Sequence, residues 1–436
     1  MSGKTLRNLG YALPALPLAA LYLPLYSYVT PFYAAERGVD LAALGLAWVL
    51  IRMFDAVTDP AMGWLSDRTT GRWGRRRVWL VASIPLIAAA TWQAFVPPDG
   101  AGIGHAALWL FVLTLGWTMA QTPYAAWGAE LETSYAGRTR VTAWREAVVL
   151  VGTLVATLVY FGAGEGGAGL RAVALTVIVL LPLTVGLAVW MAPEAPARAT
   201  VRLTLAAGWR AMQANAPFRR LLLAWFVNGA ANGLPVTLFL FFVEHRLAAP
   251  EAAGPLLLLY FVAAILGVPV WSLVADRISK HRAWAVAMIY ASAVFAAALA
   301  LGPGDVVAFG VVCVLTGLAL GADLSLPPAI QADVVEIDRR TTGAERAGLF
   351  FAIWQVATKA ALALSSGIAL MLLASAGFEA TGVNDEGALW ALALLYAGAP
   401  IVLKLAAVAL MWGFPLDRDA LEAMRVGETA PATSMP

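Results

Sequence analysis

The chain of 436 residues has one cysteine, three histidines and little charge, with 13% of residues charged against 61% hydrophobic. Cys313 stands alone in an apolar run, so there is no disulfide framework and no thiol metal site. His105, His245 and His281 fall near the edges of apolar runs and repeat no ligand spacing. No nucleophile and base present themselves together, so no catalytic residue is assigned and an enzyme is not expected. The net charge of +2 supplies no basic face for nucleic acid. What remains is a set of apolar runs long enough to cross a bilayer, which places the chain among integral membrane proteins. The first run, from Leu9 past Pro31, is too long for a signal-peptide core and lacks a small-residue cleavage site, so it is expected to stay as a helix.

The runs fall at about 9–34, 43–66, 78–96, 105–129, 143–163, 170–191, 220–243, 254–275, 283–301, 306–332, 347–375 and 388–413, which predicts an all-α protein of twelve transmembrane helices. Charge tests that count. Most of the 29 lysines and arginines fall on the side that holds the N-terminus. Arg37, Arg171 and Arg246 fall on the other side, and Arg52, Arg145, Lys359 and Lys404 lie within spans. This asymmetry puts both termini in the cytoplasm. High arginine and alanine usage without a targeting signal points to a bacterial inner membrane.

The longest polar connection lies near the middle and holds Pro193, Pro196 and Pro217 with several arginines. The expected division is a six-helix bundle over 1–191, a cytoplasmic linker over 192–219, a second six-helix bundle over 220–413 and a tail over 414–436. The halves echo each other. Trp64-Leu-Ser-Asp67-Arg68 recurs as Trp271-Ser-Leu-Val-Ala-Asp276-Arg277, each followed by basic residues. Pro123 to Glu130 with Arg138 is matched by Pro328 to Asp333 with Arg339. Two such halves are the repeat pattern of major facilitator transporters, which bind cargo near the midplane between them.

The most informative stretch is Arg52-Met-Phe-Asp55-Ala-Val-Thr58-Asp59-Pro60-Ala-Met-Gly63-Trp64. Asp55 and Asp59 share one helix face, with Arg52 a turn before them. A charge in hydrocarbon costs at least about 2.5 kcal/mol, so the stripe must face other helices or a wet cavity. Two carboxylates in low dielectric need a proton, a cation or a base. They can therefore form a cation-coupling site, or be structural ion-pair partners of Arg52 or of bases elsewhere.

Arg52-x-x-Asp55-Ala-x-x-Asp59-Pro60-x-Met62-Gly63-Trp64, then Arg72-Trp73-Gly74-Arg75 and Trp79, resembles the signature of the glycoside-pentoside-hexuronide:cation symporter family. Weaker matches extend over nearly the whole chain. The resemblance implies that Asp55 and Asp59 bind the coupling cation, Na⁺ or H⁺, with a hydroxyl from Thr118 and with Lys359 close by. Carboxylates with a hydroxyl are hard oxygens, as Na⁺ requires. It implies no cofactor. Sugar-binding members carry an acid in the first helix and another in the fourth. Here the first helix reads Pro17-Leu18-Ala19-Ala20 and the fourth reads Gln121-Thr122-Pro123.

Cargo-lining candidates are Tyr26, Gln121, Arg145, Asn228, Asn232, Trp354, Gln355 and Lys359. Asn228 with Asn232, Gln355 with Lys359, and Tyr22 with Tyr26 are each four residues apart and share a face. Arg145 with Lys359 is expected to receive a carboxylate, while Glu146 is expected to point to a different face from Arg145. Asp67, Arg68, Asp276 and Arg277 resemble the loop charges of the superfamily that close the cytoplasmic side, with Glu130, Arg138, Asp333 and Arg340 as partners. The expected function is a monomeric cation-coupled symporter of a sugar, glycoside or uronide, working by alternating access. The alternative is a cation-coupled carrier of an amphipathic substrate such as a lysophospholipid. Its partners are the small-molecule substrate, the coupling cation and the lipid bilayer.

Overall fold

The computed structural model describes residues 3–69, 74–131, 135–192, 213–342 and 347–415, and every regular element among them is helical. The first half holds α1 (Leu6–Arg37), α2 (Leu41–Arg68), α3 (Arg77–Phe95), α4 (Ile103–Leu131), α5 (Tyr135–Gly162) and α6 (Gly167–Met191). The second holds α7 (Ala216–Arg246), α8 (Ala253–Ile278), α9 (Lys280–Ala298), α10 (Val306–Thr342), α11 (Ala347–Ser375) and α12 (Glu386–Met411). Eleven of these regions are long and apolar enough to cross a membrane. The exception is α9, whose first turn spends three of its 19 residues on Lys280, His281 and Arg282. It nevertheless packs against α10 and α12 in the place of the ninth span.

Local chemistry sets the ends. Asp40 caps α2 by accepting from the Ala43 amide at 2.8 Å, and Asp385 caps α12 through the Ala388 amide at 2.7 Å. Gly38, at φ +63°, ends α1 in the left-handed region that glycine occupies without strain. Helix α7 starts at Ala216, inside the stretch assigned to the linker, because Asn215 caps it and Pro217 sits in the first turn where its missing N–H costs nothing. Most of that linker and of the expected tail lies outside the described residues. In α1 a π-helical turn over Pro24–Tyr28 interrupts the α-helix and carries Tyr26.

The halves meet at the end opposite the termini. The Ser27 hydroxyl of α1 donates to the Val236 carbonyl of α7. Gly45 of α2 and Gly367 of α11 lie so close that a Cβ on Gly45 would sit 2.8 Å from the Gly367 carbonyl oxygen. Small residues allow such an approach where the surrounding lipid supplies no hydrophobic drive between helices. A buried cluster containing Leu25, Tyr28, Phe32, Leu44, Leu238, Phe241, Phe242 and Leu370 runs through both halves here. A second cluster, with Phe218, Trp271, Trp284, Phe350 and Met411, belongs to the second half alone. The protein is thus closed on the side away from its termini.

Candidate functional site

The two acids of α2 take different partners. Arg52 Nη1 donates to Asp55 Oδ2 at 2.7 Å, one turn along the same helix, and both side chains are buried. The guanidinium lies over the Tyr26 ring, at 4.8 Å, and the Trp48 ring, at 5.6 Å. The π turn in α1 and the i−4 position in α2 place those two rings against it. Asp59 instead receives Lys359 Nζ at 2.7 Å on each oxygen, across the boundary between the halves. The side chains of that pair are 28% and 12% exposed, against 4% and 6% for Arg52 and Asp55. Asp59 is therefore the acid that solvent reaches. Thr118 on α4 is buried, and its Oγ1 has no hydrogen-bond partner among the described residues.

Each acid has a base at hydrogen-bonding distance, so the four charges balance within the apolar layer. Such a pair is held against a desolvation cost that packed apolar residues avoid, which makes it weak evidence for stability alone. The arrangement offers carboxylate oxygens to a cation, provided Lys359 gives way.

Of the cargo-lining candidates, Tyr26 stacks on Trp48 at 5.5 Å and lies 4.9 Å from Tyr22, which meets Trp117 of α4 edge-on at 6.2 Å. Gln121 is half-buried on α4, and Gln355 is exposed on α11. Trp354 is buried and stacks on Trp225 at 4.7 Å, while Trp225 Nε1 donates to Thr358 at 2.6 Å. Arg145 directs Nε and Nη2 at Glu146 Oε1, at 3.2 and 2.7 Å. The expectation that Glu146 points to a different face is corrected here. Both chains are long enough to bend toward each other, and doing so neutralises a charge at the edge of the apolar layer.

Asn228 and Asn232 belong to a network whose centre sequence reasoning missed. Asp323 Oδ1 on α10 accepts from Asn228 Nδ2 at 3.0 Å and from Trp284 Nε1 at 2.6 Å, and its Oδ2 accepts from Asn232 Nδ2 at 2.9 Å. Lys404 Nζ on α12 donates to Asn228 Oδ1 at 2.9 Å and Asn232 Oδ1 at 2.7 Å, and lies 3.6 Å from Asp323 Oδ2. The signal was present: an acid and a base, each alone in an apolar run, are expected to find each other. All four bases placed within spans, Arg52, Arg145, Lys359 and Lys404, thus have an acid: Asp55, Glu146, Asp59 and Asp323.

At the termini side, Lys280 Nζ of α9 meets Asp333 Oδ2 of α10 at 2.6 Å, so the described partner of Asp333 comes from its own half. Arg68 is exposed and lies over the Trp64 ring at 4.0 Å. Asp276 and Arg277 are exposed at the end of α8. The side chains of Asp67, Glu130, Arg138 and Arg340 lie outside the described residues.

Two six-helix halves packed around a charge-paired centre make a multi-pass helical membrane protein of the major facilitator fold. The chain belongs to the MFS/sugar transport protein family, which matches residues 10–418. It is 24% identical to the sodium-dependent lysophosphatidylcholine symporter 1-A of Danio rerio, over 85% of this chain and 78% of that protein. It is also 24% identical to the putative glycoside/cation symporter YagG of Escherichia coli strain K12, over 85% of this chain and 83% of that one. The crystal structure of the nucleoside transporter NupG superposes with a TM-score of 0.67 at 13% identity, covering 94% of this chain and 99% of NupG, a likeness of fold. The resemblance to cation symporters drawn from the α2 signature is borne out at the level of a symporter family.

Proposed function

We propose that the protein is a cation-coupled symporter that moves a sugar, glycoside or uronide across a bacterial inner membrane by alternating access, with both termini in the cytoplasm. The observation that carries the reading is the Asp59–Lys359 pair: the more exposed acid of a carboxylate pair is tied to the opposite half of the protein by a base. Asp55, Asp59 and the Thr118 hydroxyl, which has no partner among the described residues, supply oxygens for Na⁺, or the carboxylates take H⁺. In the cation-free state Lys359 stands in for the ion. Cation entry neutralises Asp59, releases Lys359 and loosens the tie between α2 and α11, so that the loaded carrier can rock. Coupling needs only that cation and cargo each raise the other's affinity, typically by 1–3 kcal/mol.

Tyr26, Gln121, Arg145, Asn232, Trp354 and Gln355 surround the cargo path in this reading, while Asn228, fully buried, positions Asp323. Asp67, Arg68, Glu130, Arg138, Asp276, Arg277, Asp333 and Arg340 form the gate on the termini side. A lysophospholipid is the second reading for the cargo. It is supported by the missing acids at Pro17–Ala20 and Gln121, and by relatives named as lysophosphatidylcholine symporters. The test is accumulation in proteoliposomes under an imposed Na⁺ or H⁺ gradient. Accumulation of a glycoside or lysophospholipid that stops when an ionophore collapses the gradient supports symport. Equilibration that ignores both gradients removes it.

A further inference from the structure

We propose that the Nε and Nη2 edge of Arg52 receives an anionic group of the cargo, a carboxylate or a phosphate. The proposal rests on the transporter reading for its setting. A guanidinium carries five N–H donors in a fixed plane. Asp55 takes Nη1 alone, whereas Nε and Nη2 are both buried and have no hydrogen-bond partner among the described residues. They lie side by side on one edge, with the spacing that two oxygens of a carboxylate or phosphate match. The Tyr26 and Trp48 rings, themselves stacked 5.5 Å apart, lie together on one side of the group and supply no hydrogen-bond acceptor to that edge.

The other bases of the apolar layer are spent. Arg145 uses the corresponding edge on Glu146, Lys359 is divided between both oxygens of Asp59, and Lys404 is shared among Asn228, Asn232 and Asp323. Leaving a buried donor without an acceptor is costly, and more so when the donor is charged. A chain that pairs its remaining intramembrane charges and leaves two donors on one guanidinium edge holds that edge for a guest.

Charge balance gives the edge a role in coupling. Arg52, Lys359, Asp55 and Asp59 sum to zero with nothing bound. A coupling cation leaves one net positive charge in a low-dielectric layer and draws Asp55 away from Arg52. An anion on the Arg52 edge cancels that charge. Each ligand thereby lowers the cost of the other, which is the reciprocity symport requires. The neighbouring Tyr26, Tyr22 and Trp117 rings form an aromatic wall for the rest of the molecule.

Two matched pairs of probes test this on the purified full chain by tryptophan fluorescence in saturating NaCl. One pair is methyl β-D-glucuronide against methyl β-D-glucoside. The other is a lysophosphatidylcholine against the monoacylglycerol of the same acyl chain. Within one pair the member bearing the carboxylate or phosphate is expected to bind at least about ten-fold tighter, and the responding pair identifies which group the edge takes. Arg52→Lys keeps a positive charge beside Asp55 and removes the planar fork, so it should reduce that preference at least about five-fold. Equal binding within both pairs, read on the wild-type protein alone, overturns the proposal. So does a preference that Arg52→Lys leaves intact. Repeating the wild-type titrations in choline chloride at neutral and acid pH separates the two readings. A preference that ignores Na⁺ and pH alike retains the Arg52 edge and removes cation coupling.

Discussion

Lys359 Nζ lies 2.7 Å from each carboxylate oxygen of Asp59, so a base on α11 of the second half grips an acid on α2 of the first. The pair crosses the seam along which the halves must move. A ligand that neutralises Asp59 therefore acts directly on the contact between the halves. Asp55 is instead hydrogen-bonded within its own helix by Arg52.

Removing Lys359 strands Asp59. Lys359→Gln should lower stability by about 1–3 kcal/mol, less than the 3–5 of a fully buried pair because solvent reaches Lys359. Asp59→Asn with Lys359→Gln should recover most of that loss while remaining without cation-driven uptake. Thermal unfolding and uptake on the same preparations check both; a Lys359→Gln protein as stable as wild type contradicts the tie.

The Thr118 hydroxyl has no hydrogen-bond partner among the described residues. Thr118→Val keeps the shape and removes an unpaired buried group, so stability should hold or rise slightly. Cation affinity should fall about ten-fold, and Thr118→Ser should restore it. Na⁺- or H⁺-induced tryptophan fluorescence reads the affinity, and an unchanged affinity in Thr118→Val removes the hydroxyl from the site.

In the second half, Lys404→Met leaves Asp323 buried with amide and indole donors but no opposing charge, and should cost about 3–5 kcal/mol. Adding Asp323→Asn should return a large part of it. Equal losses for the single and double variants on thermal unfolding would show that charge is not what the network manages.

Away from the membrane spans, Glu165 lies in the α5–α6 loop, and its carboxyl pKa is pushed up by partial burial first and then by the carboxylates of Glu244 and Glu251 across the seam. A raised acid pKa favours the protonated form of the closed state. The closed arrangement is thus favoured below the range in which Glu165 titrates and loses that advantage as pH rises through it. Glu165→Gln should flatten the dependence. Fluorescence transfer between labels on the α5–α6 and α7–α8 loops, followed across the carboxylate range, reports it; a pH response that survives the substitution assigns it elsewhere.

The spans were legible because apolar runs and loop arginines carry them, and α9 shows the limit, since its basic first turn takes it below the composition of a span without displacing it from the bundle. The Arg52–Asp55 contact was among the options a three-residue spacing offers. The Asp59–Lys359 contact was not readable from spacing, since 300 residues separate the two; it came from the α2 signature and needed coordinates to become a distance. Asn228 and Asn232 were placed on one face correctly, yet that face turns toward Asp323 and Lys404, and helix rotation is decided by packing that a sequence pattern does not encode. The turn of Glu146 onto Arg145 was hidden for the same reason, because side-chain flexibility outweighs helical phase for neighbouring long chains.

The central claim is that Asp55 and Asp59 carry the coupling cation. Cargo-stimulated entry of Na⁺ or H⁺ into proteoliposomes tests it most directly, with wild type, Asp55→Asn and Asp59→Asn compared at equal reconstitution. Stimulated cation entry in wild type and its loss in each variant is the predicted result. Full cation-driven accumulation in both variants contradicts the account.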